Sequence, residues 1–185
     1  MFGLPDQAVG GIVAALIAGG VALLGLIISK EQEVSEFRQQ WIDALREDIA
    51  AVIAHSHGIH GSSIAQRAPQ QSLWDTVRDD ATGIRQASAR IRLRLNPNEK
   101  NKNEKAANEA VLEALKEYES IFASPAPDFF KLAGISDKLL SAAQIVLKEN
   151  WERVRSGELV YRITRWVALF IVVAAIVLLL HMLKK

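Results

Sequence analysis

The stretch AVGGIVAALIAGGVALLGLII, Ala8 to Ile28, contains no ionisable or amide side chain. A helix of about 20 apolar residues, rising about 1.5 Å each, crosses a hydrocarbon core of about 30 Å, and in lipid only a helix satisfies its own backbone. The stretch therefore reads as a membrane span, and the rest of the chain is placed by its relation to it.

Within the span, Gly11, Ala15, Ala18, Ala22, Gly25 and Ser29 follow one another at alternating spacings of four and three. That spacing gathers the smallest side chains on one stripe, where helix backbones can approach closely in lipid. Val13, Leu16, Leu23 and Ile27 form a second, bulky stripe, continued by Val34, Phe37 and Trp41. The expectation is a homo-oligomer packed through the small face, with the bulky face against the chain's own second span. A monomeric hairpin, whose glycines simply accommodate that second span, is the alternative. Several copies with the small stripe inward enclose a narrow apolar passage of the kind that gates ions by dewetting. Asp6 and Gln7 would then ring the outer mouth, and Ser29 and Glu31 the inner one. A tight helix cluster without a passage satisfies the same pattern.

Half of the 185 residues are hydrophobic and 23% are charged, and the two classes are segregated along the chain, which fits a membrane protein with a soluble middle. A net charge of +1 gives no global attraction to nucleic acid, so any anion site must come from local clustering. There is no cysteine, which excludes disulfides and thiolate chemistry. The residues before the span carry an acid and no base, unlike a secretory signal, so the span is expected to be retained. Lys30, Arg38 and Arg46 lie beyond it. Near the other end, Val167 to Leu180 reads as a second span, with Tyr161 and Trp166 in the interfacial belt and Arg153, Arg155, Arg162 and Arg165 on its inner side, against Lys184 and Lys185. The balance places the middle in the cytosol and both termini outside. The expected divisions are 1–29 with the first span, 30–165 as a soluble helical domain, and 166–185 with the second span.

In the middle, Val34, Phe37, Trp41, Leu45, Ile49 and Val52 recur at helical spacing, so span and soluble helix read as one rod ending near HSHGIHGSS. His55, His57 and His60 there raise a metal reading, but no HExxH, cysteine or i, i+4 histidine pair accompanies them, and polar loop histidines are the simpler account. A second helix after Pro69 carries Leu73, Val77, Ile84, Ile91 and Leu95 on one stripe. Asn96, Pro97 and Glu99 read as cap, first position and third position of a third helix, which carries Val111, Leu115, Tyr118 and Phe122. Phe129 and Phe130, in the corner that follows, are expected under the bundle. A fourth helix from about Ser136 is expected to turn Leu140, Ala143, Leu147, Trp151 and Val154 inward. The fold class is an all-α membrane protein, its two transmembrane helices continuing into an antiparallel cytosolic bundle.

No nucleophile with a base, metal set or opposed carboxylate pair is recognisable, which argues against an enzyme and implies no cofactor. The concentrated polar feature is a set of arginines on the second helix: Arg78, Arg85, Arg90, Arg92 and Arg94, followed by Lys100, Lys102 and Lys105. Guanidinium groups bind phosphates bidentately, as a single-stranded nucleic acid or oligonucleotide ligand requires. Asp75, Asp79 and Asp80 lie on the same helix, and a solvated or intersubunit charge face, the commoner role of charge runs, accounts for the pattern too.

The segment VSEFRQQWIDALREDIAAVIA after the first span, followed by IRLRLNPNE and a second span, resembles a family of small two-span bacterial membrane proteins of prophage and anti-phage defence loci. Ser35, Glu36, Phe37, Arg38, Trp41, Ile42, Leu45 and Arg46 carry the resemblance, with Arg94, Leu95, Asn96 and Pro97 as its second mark. It implies a multi-pass protein of the bacterial inner membrane acting as a toxic effector. The Hailong type, the leading comparison, implies an oligomeric channel held closed by short DNA that a partner nucleotidyltransferase makes. No catalytic residue carries over, and the alternative function is a membrane-anchored helical scaffold that recruits a protein partner.

Overall fold

The structure is a computed structural model that describes residues 6–65, 72–96, 98–99, 101–156 and 159–183. Among these it is all-helical: α1 (Asp6–Ile64), α2 (Leu73–Arg94), α3 (Lys102–Ala123), a 3-10 turn (Phe129–Lys131), α4 (Leu132–Ser156) and α5 (Leu159–Leu183). The helices form two compact units, one of residues 1–38 and 153–185, the other Gln39–Glu152, which lies inside the range 30–165.

The Gln39–Glu152 unit is a four-helix bundle built from apolar residues three and four apart on each helix. The second half of α1 buries Ile42, Leu45, Ile49, Val52 and Ile59; α2 buries Val77, Ala81, Ile84, Ala87 and Ile91. From α3 come Val111, Leu115, Tyr118 and Ile121, and from α4 Leu132, Ile135, Leu139, Ala143 and Val146. Burial of such aliphatic side chains stabilises by about 1.5–3 kcal/mol each, before chain entropy is subtracted. Direction follows from side-chain pairs. Trp41 and His55 of α1 bond to Arg94 and Asp80 of α2, Tyr118 and Glu104 of α3 to Ser136 and Asn150 of α4, and Ser56 of α1 to Ser136. Asn108 of α3 reaches Asn96 just past α2. Partners descend in one helix as they ascend in the next, so successive helices are antiparallel.

The other unit contains the first half of α1 and α5. On α1, Ile17, Gly20, Leu24 and Ile27 are half-buried, and on α5 Ala168 is 2% exposed with Val172 half-buried. A Cβ placed on Gly20 would come within 2.9 Å of Val172 Cγ2, so glycine is what admits that valine. The bulky stripe expected to make this contact is therefore corrected: of its three described side chains Leu16 and Leu23 are exposed and only Ile27 is covered in part, and the side chain of Val13 lies outside the described residues. α1 carries the one stretch among the described residues that is long and apolar enough to cross a membrane; the apolar stretch described in α5 is shorter, Ile163–Ala174.

Other boundaries also move. α1 does end near HSHGIHGSS, one residue beyond it at Ile64, but that stretch is helical throughout, including Gly58 and Gly61, and not a turn. Interior glycine costs a helix about 1 kcal/mol, and the packing of Ser56 and Ile59 into the core outweighs it. The cap of α3 is Asn101, whose side chain accepts from the amides of Asn103 and Glu104. Asn96 instead accepts from the Asn98 amide, and Glu99 from that of Asn101, so the first asparagine closes a local turn and the second starts the helix. Pro97 lies outside the described residues. α4 begins four residues early, and its inward phase is Leu132, Ile135, Leu139, Ala143 and Val146; Leu140 and Trp151 are exposed. Phe129 is buried as expected, whereas Phe130 and Phe37 are 63% and 72% exposed.

Candidate functional site

The arginine-bearing helix meets α1 around a buried acid. Asp48 falls on the inward phase of α1, three residues after Leu45, and is 5% exposed. Arg90 Nε donates to its Oδ1 at 2.6 Å, and Arg94 Nη1 donates to its Oδ2. The indole of Trp41, two turns earlier on α1, donates to the carbonyl oxygen of Arg94 at 3.3 Å, at the carboxyl end of α2. The segments around Trp41 and Arg94, which carry the resemblance drawn from the sequence, thus touch each other. A carboxylate inside the bundle is tolerable because two charge-assisted bonds offset its lost hydration. Sequence reading missed Asp48, although its phase with Leu45, Ile49 and Val52 was a usable signal: an acid on an apolar stripe needs a cation.

The remaining arginines are engaged nearby or stand apart. Arg78 pairs with Asp75 at 2.9 Å on the exposed face of α2. Arg92 Nη2 lies 3.0 Å from Glu119 Oε2 of α3, close enough for an ion pair but without the alignment of a hydrogen bond. Arg85 is exposed and has no acid partner among the described residues. The five arginines proposed for one anion are therefore divided among three acids and solvent, and only Arg90 and Arg94 share a partner. A phosphate approaching four of them must displace a carboxylate.

Farther along the α1–α2 contact, His55 Nδ1 lies 2.8 Å from Asp80 Oδ1. Each side chain occupies a notch left by a glycine on the opposite helix. A Cβ on Gly83 would sit 2.3 Å from His55 Nε2, and one on Gly58 would sit 2.6 Å from Asp80 Oδ2. His60 Nδ1 faces the carbonyl oxygen of Phe129 at 3.4 Å and its ring meets Phe130 edge-on, while His57 is exposed. The three histidines are thus helical, in place of the loop expected, and no group of three or more metal-ligating side chains occurs among the described residues.

A polar node joins three helices in the core. Tyr118 and Ser136 share a hydrogen bond of 2.7 Å, and Ser136 also lies within bonding distance of Ser56 Oγ and the Leu132 carbonyl oxygen. Burial pushes the Tyr118 phenol above its ordinary pKa, opposed by its bonds to Ser136 and Ser56.

On the membrane-type helix, Gly11, Ala15, Ala18, Ala22, Gly25 and Ser29 are all exposed. They form one uninterrupted stripe whose centre lies about 160° around the helix from that of Ile17, Gly20, Leu24 and Ile27, nearly the opposite face, since each helical residue turns about 100°. Glu31 is half-buried. The side chains of Asp6 and Gln7, expected at the outer mouth, lie outside the described residues.

No family model matches the chain, and no curated protein or solved structure shows significant similarity to it.

Proposed function

We propose that the chain is an oligomeric protein of the bacterial inner membrane, that α1 and α5 both span the bilayer, and that copies meeting along the small stripe of α1 enclose an ion-conducting passage. The bundle Gln39–Glu152 lies in the cytosol and controls that passage. The observation that carries this reading is the double use of α1: one phase, through Gly20, is taken by the chain's own α5, while Gly11, Ala15, Ala18, Ala22, Gly25 and Ser29 stay uncovered. Small residues gain by close backbone contact in lipid, where apolar surface alone gives helices no reason to associate. The cytosolic placement is supported by Lys30, Arg38 and Arg46 after the first span. A role as a toxic effector in anti-phage defence, with a nucleotidyltransferase as partner, draws on the sequence resemblance alone. An anionic ligand, a short oligonucleotide in that comparison, acts through Arg85, since Arg78, Arg90, Arg92 and Arg94 already face acids.

Because the chain has no cysteine, single substitutions Ala18→Cys and Ala22→Cys report cleanly. Oxidation in detergent or vesicles is expected to link separate chains, and the unmodified protein in planar bilayers to give discrete current steps. Absence of interchain links, or a silent bilayer containing protein of oligomeric mass, removes the pore. The second reading, a membrane-anchored scaffold, draws on apolar side chains that the bundle leaves outside, Leu93 at 87% exposed together with Leu140 and Trp151. A stoichiometric protein partner and no conductance would select it.

A further inference from the structure

Between α2 and α3 lies a cleft of about 240 Å³ bordered by Ile84, Arg85 and Ser88 on one helix and Tyr118, Glu119 and Phe122 on the other. We propose that this cleft binds a small carboxylate with an apolar body and a single negative charge. The proposal keeps Arg85 as the anion-binding residue named above but gives it a monocarboxylate in place of the oligonucleotide that the resemblance implies; it rests on that reading for the effect of occupancy on conductance, not for binding itself.

Three features select this chemistry. Ser88 is 3% exposed, and its buried Oγ has no hydrogen-bond partner. Leaving a buried hydroxyl unpaired is costly, and native folds pair nearly all such groups, so a ligand oxygen or a water is called for at that point. Arg85 supplies a guanidinium with no acid partner among the described residues, at the border of the same cleft. With Arg92 held against Glu119, their charges cancel, and Arg85 leaves the site one positive charge, which one carboxylate neutralises. The apolar body then lies along Ile84 and Phe122, while the Tyr118 hydroxyl stays engaged with Ser136. The volume equals that of about eight liquid waters at about 30 Å³ each, the scale of one small ring and its acid group.

The test uses the full chain in detergent, with calorimetric titration by benzoate and, separately, by acetate and inorganic phosphate. Benzoate is expected to bind saturably and more tightly than either comparison anion. Arg85→Gln should weaken binding by about tenfold or more, and Ser88→Ala by about fivefold, the range for a lost charged and a lost neutral hydrogen bond. Arg78→Gln, which removes a guanidinium already paired with Asp75, should leave binding unchanged. Circular dichroism and thermal midpoints of the variants show that they fold. No saturable benzoate binding, equal binding by Arg85→Gln, or tighter binding of phosphate overturns the proposal. Current recorded on the same preparation separates the two readings. A protein that binds benzoate and never conducts keeps the cleft and loses the pore, and one that conducts but does not bind does the reverse.

Discussion

Replacing Asp48 with asparagine keeps the side-chain shape and removes the charge on which Arg90 and Arg94 converge. Hydrogen bonds to charged groups contribute about 1.5–3 kcal/mol each. The two here do not count equally. The Arg90 side chain is 49% exposed and can return to water, so its share falls toward the ~1 kcal/mol of an exposed ion pair. Arg94 is 28% exposed against a carboxylate that is 7% exposed, and keeps a share of about 1.5–2 kcal/mol. Asp48→Asn is therefore expected to cost about 2–3 kcal/mol, which for a unit of this size lowers the thermal midpoint by roughly 10 °C. Urea titration of the full chain in detergent, followed by tryptophan emission, measures the cost; Trp41, bonded to the Arg94 carbonyl, reports beside the change. Arg94→Gln and the double variant complete a cycle whose coupling should reach about 1–2 kcal/mol, because residues sharing a buried ion pair are not additive. A loss below about 0.5 kcal/mol for Asp48→Asn would refute the view that this acid clamps α1 to α2, since it would then match a plain surface substitution.

Other outcomes follow from the same geometry. In a His55→Ala background, Gly83→Ala should stabilise the bundle by about 1 kcal/mol, the ordinary helical gain of alanine over glycine; in the parent chain, where the new methyl meets the imidazole, denaturation should show a smaller gain or a loss. Tyr118→Phe should cost about 1 kcal/mol by removing the phenol's bond to Ser136. The raised pKa of Tyr118 means that, above pH ~10, the unfolded chain releases a proton that the folded chain keeps, so stability is intact below that pH and falls as pH rises toward the folded value. Melting curves between pH 9 and 11 should therefore decline more steeply for the parent than for Tyr118→Phe. Ala22→Leu places a bulky group on the exposed small stripe, away from α5, and should reduce the detergent oligomer mass while the bundle's melting is unchanged; an unaltered mass would detach assembly from that stripe.

The helical character of the chain was plain from its periodicity, and α2 runs where its stripe placed it, with Val77, Ile84 and Ile91 inward. Errors arose where a local preference competed with a tertiary contact. Gly58 and Gly61 read as a stop, yet Gly58 is the space into which Asp80 fits. Asn96 and Asn101 both offer caps followed by a glutamate three residues on, and nothing local decides between them. In α4 the expected stripe is only partly inward: Ala143 is buried and Leu147 packs against the core, but Leu140 and the largest side chain, Trp151, are left outside. The arginines were visible, as was Asp75 beside Arg78, but the partners across helices were not: Asp48 and Glu119 stand far from Arg90, Arg94 and Arg92 in sequence, and an ion pair across helices leaves no periodic trace.

The phase of α1 shows why side-chain size misleads in this molecule. In the bundle, where water is excluded, the covered phase is the bulky one, through Ile42, Leu45, Ile49 and Val52. In the apolar half the covered phase sets Gly20 and the partly covered Glu31 among Ile17, Leu24 and Ile27, whereas the equally large Leu16, Leu23 and Leu26 are exposed. Water rewards burying the largest apolar surface, but lipid is as apolar as leucine and rewards close backbone approach. If the exposed leucines face lipid, they need no partner, while the uncovered stripe of glycine and alanine forgoes dispersion contacts that a second helix could supply. On that argument the surface to test for assembly is the small one, and a stripe that reads as blank in hydrophobicity is where a neighbouring chain gains most.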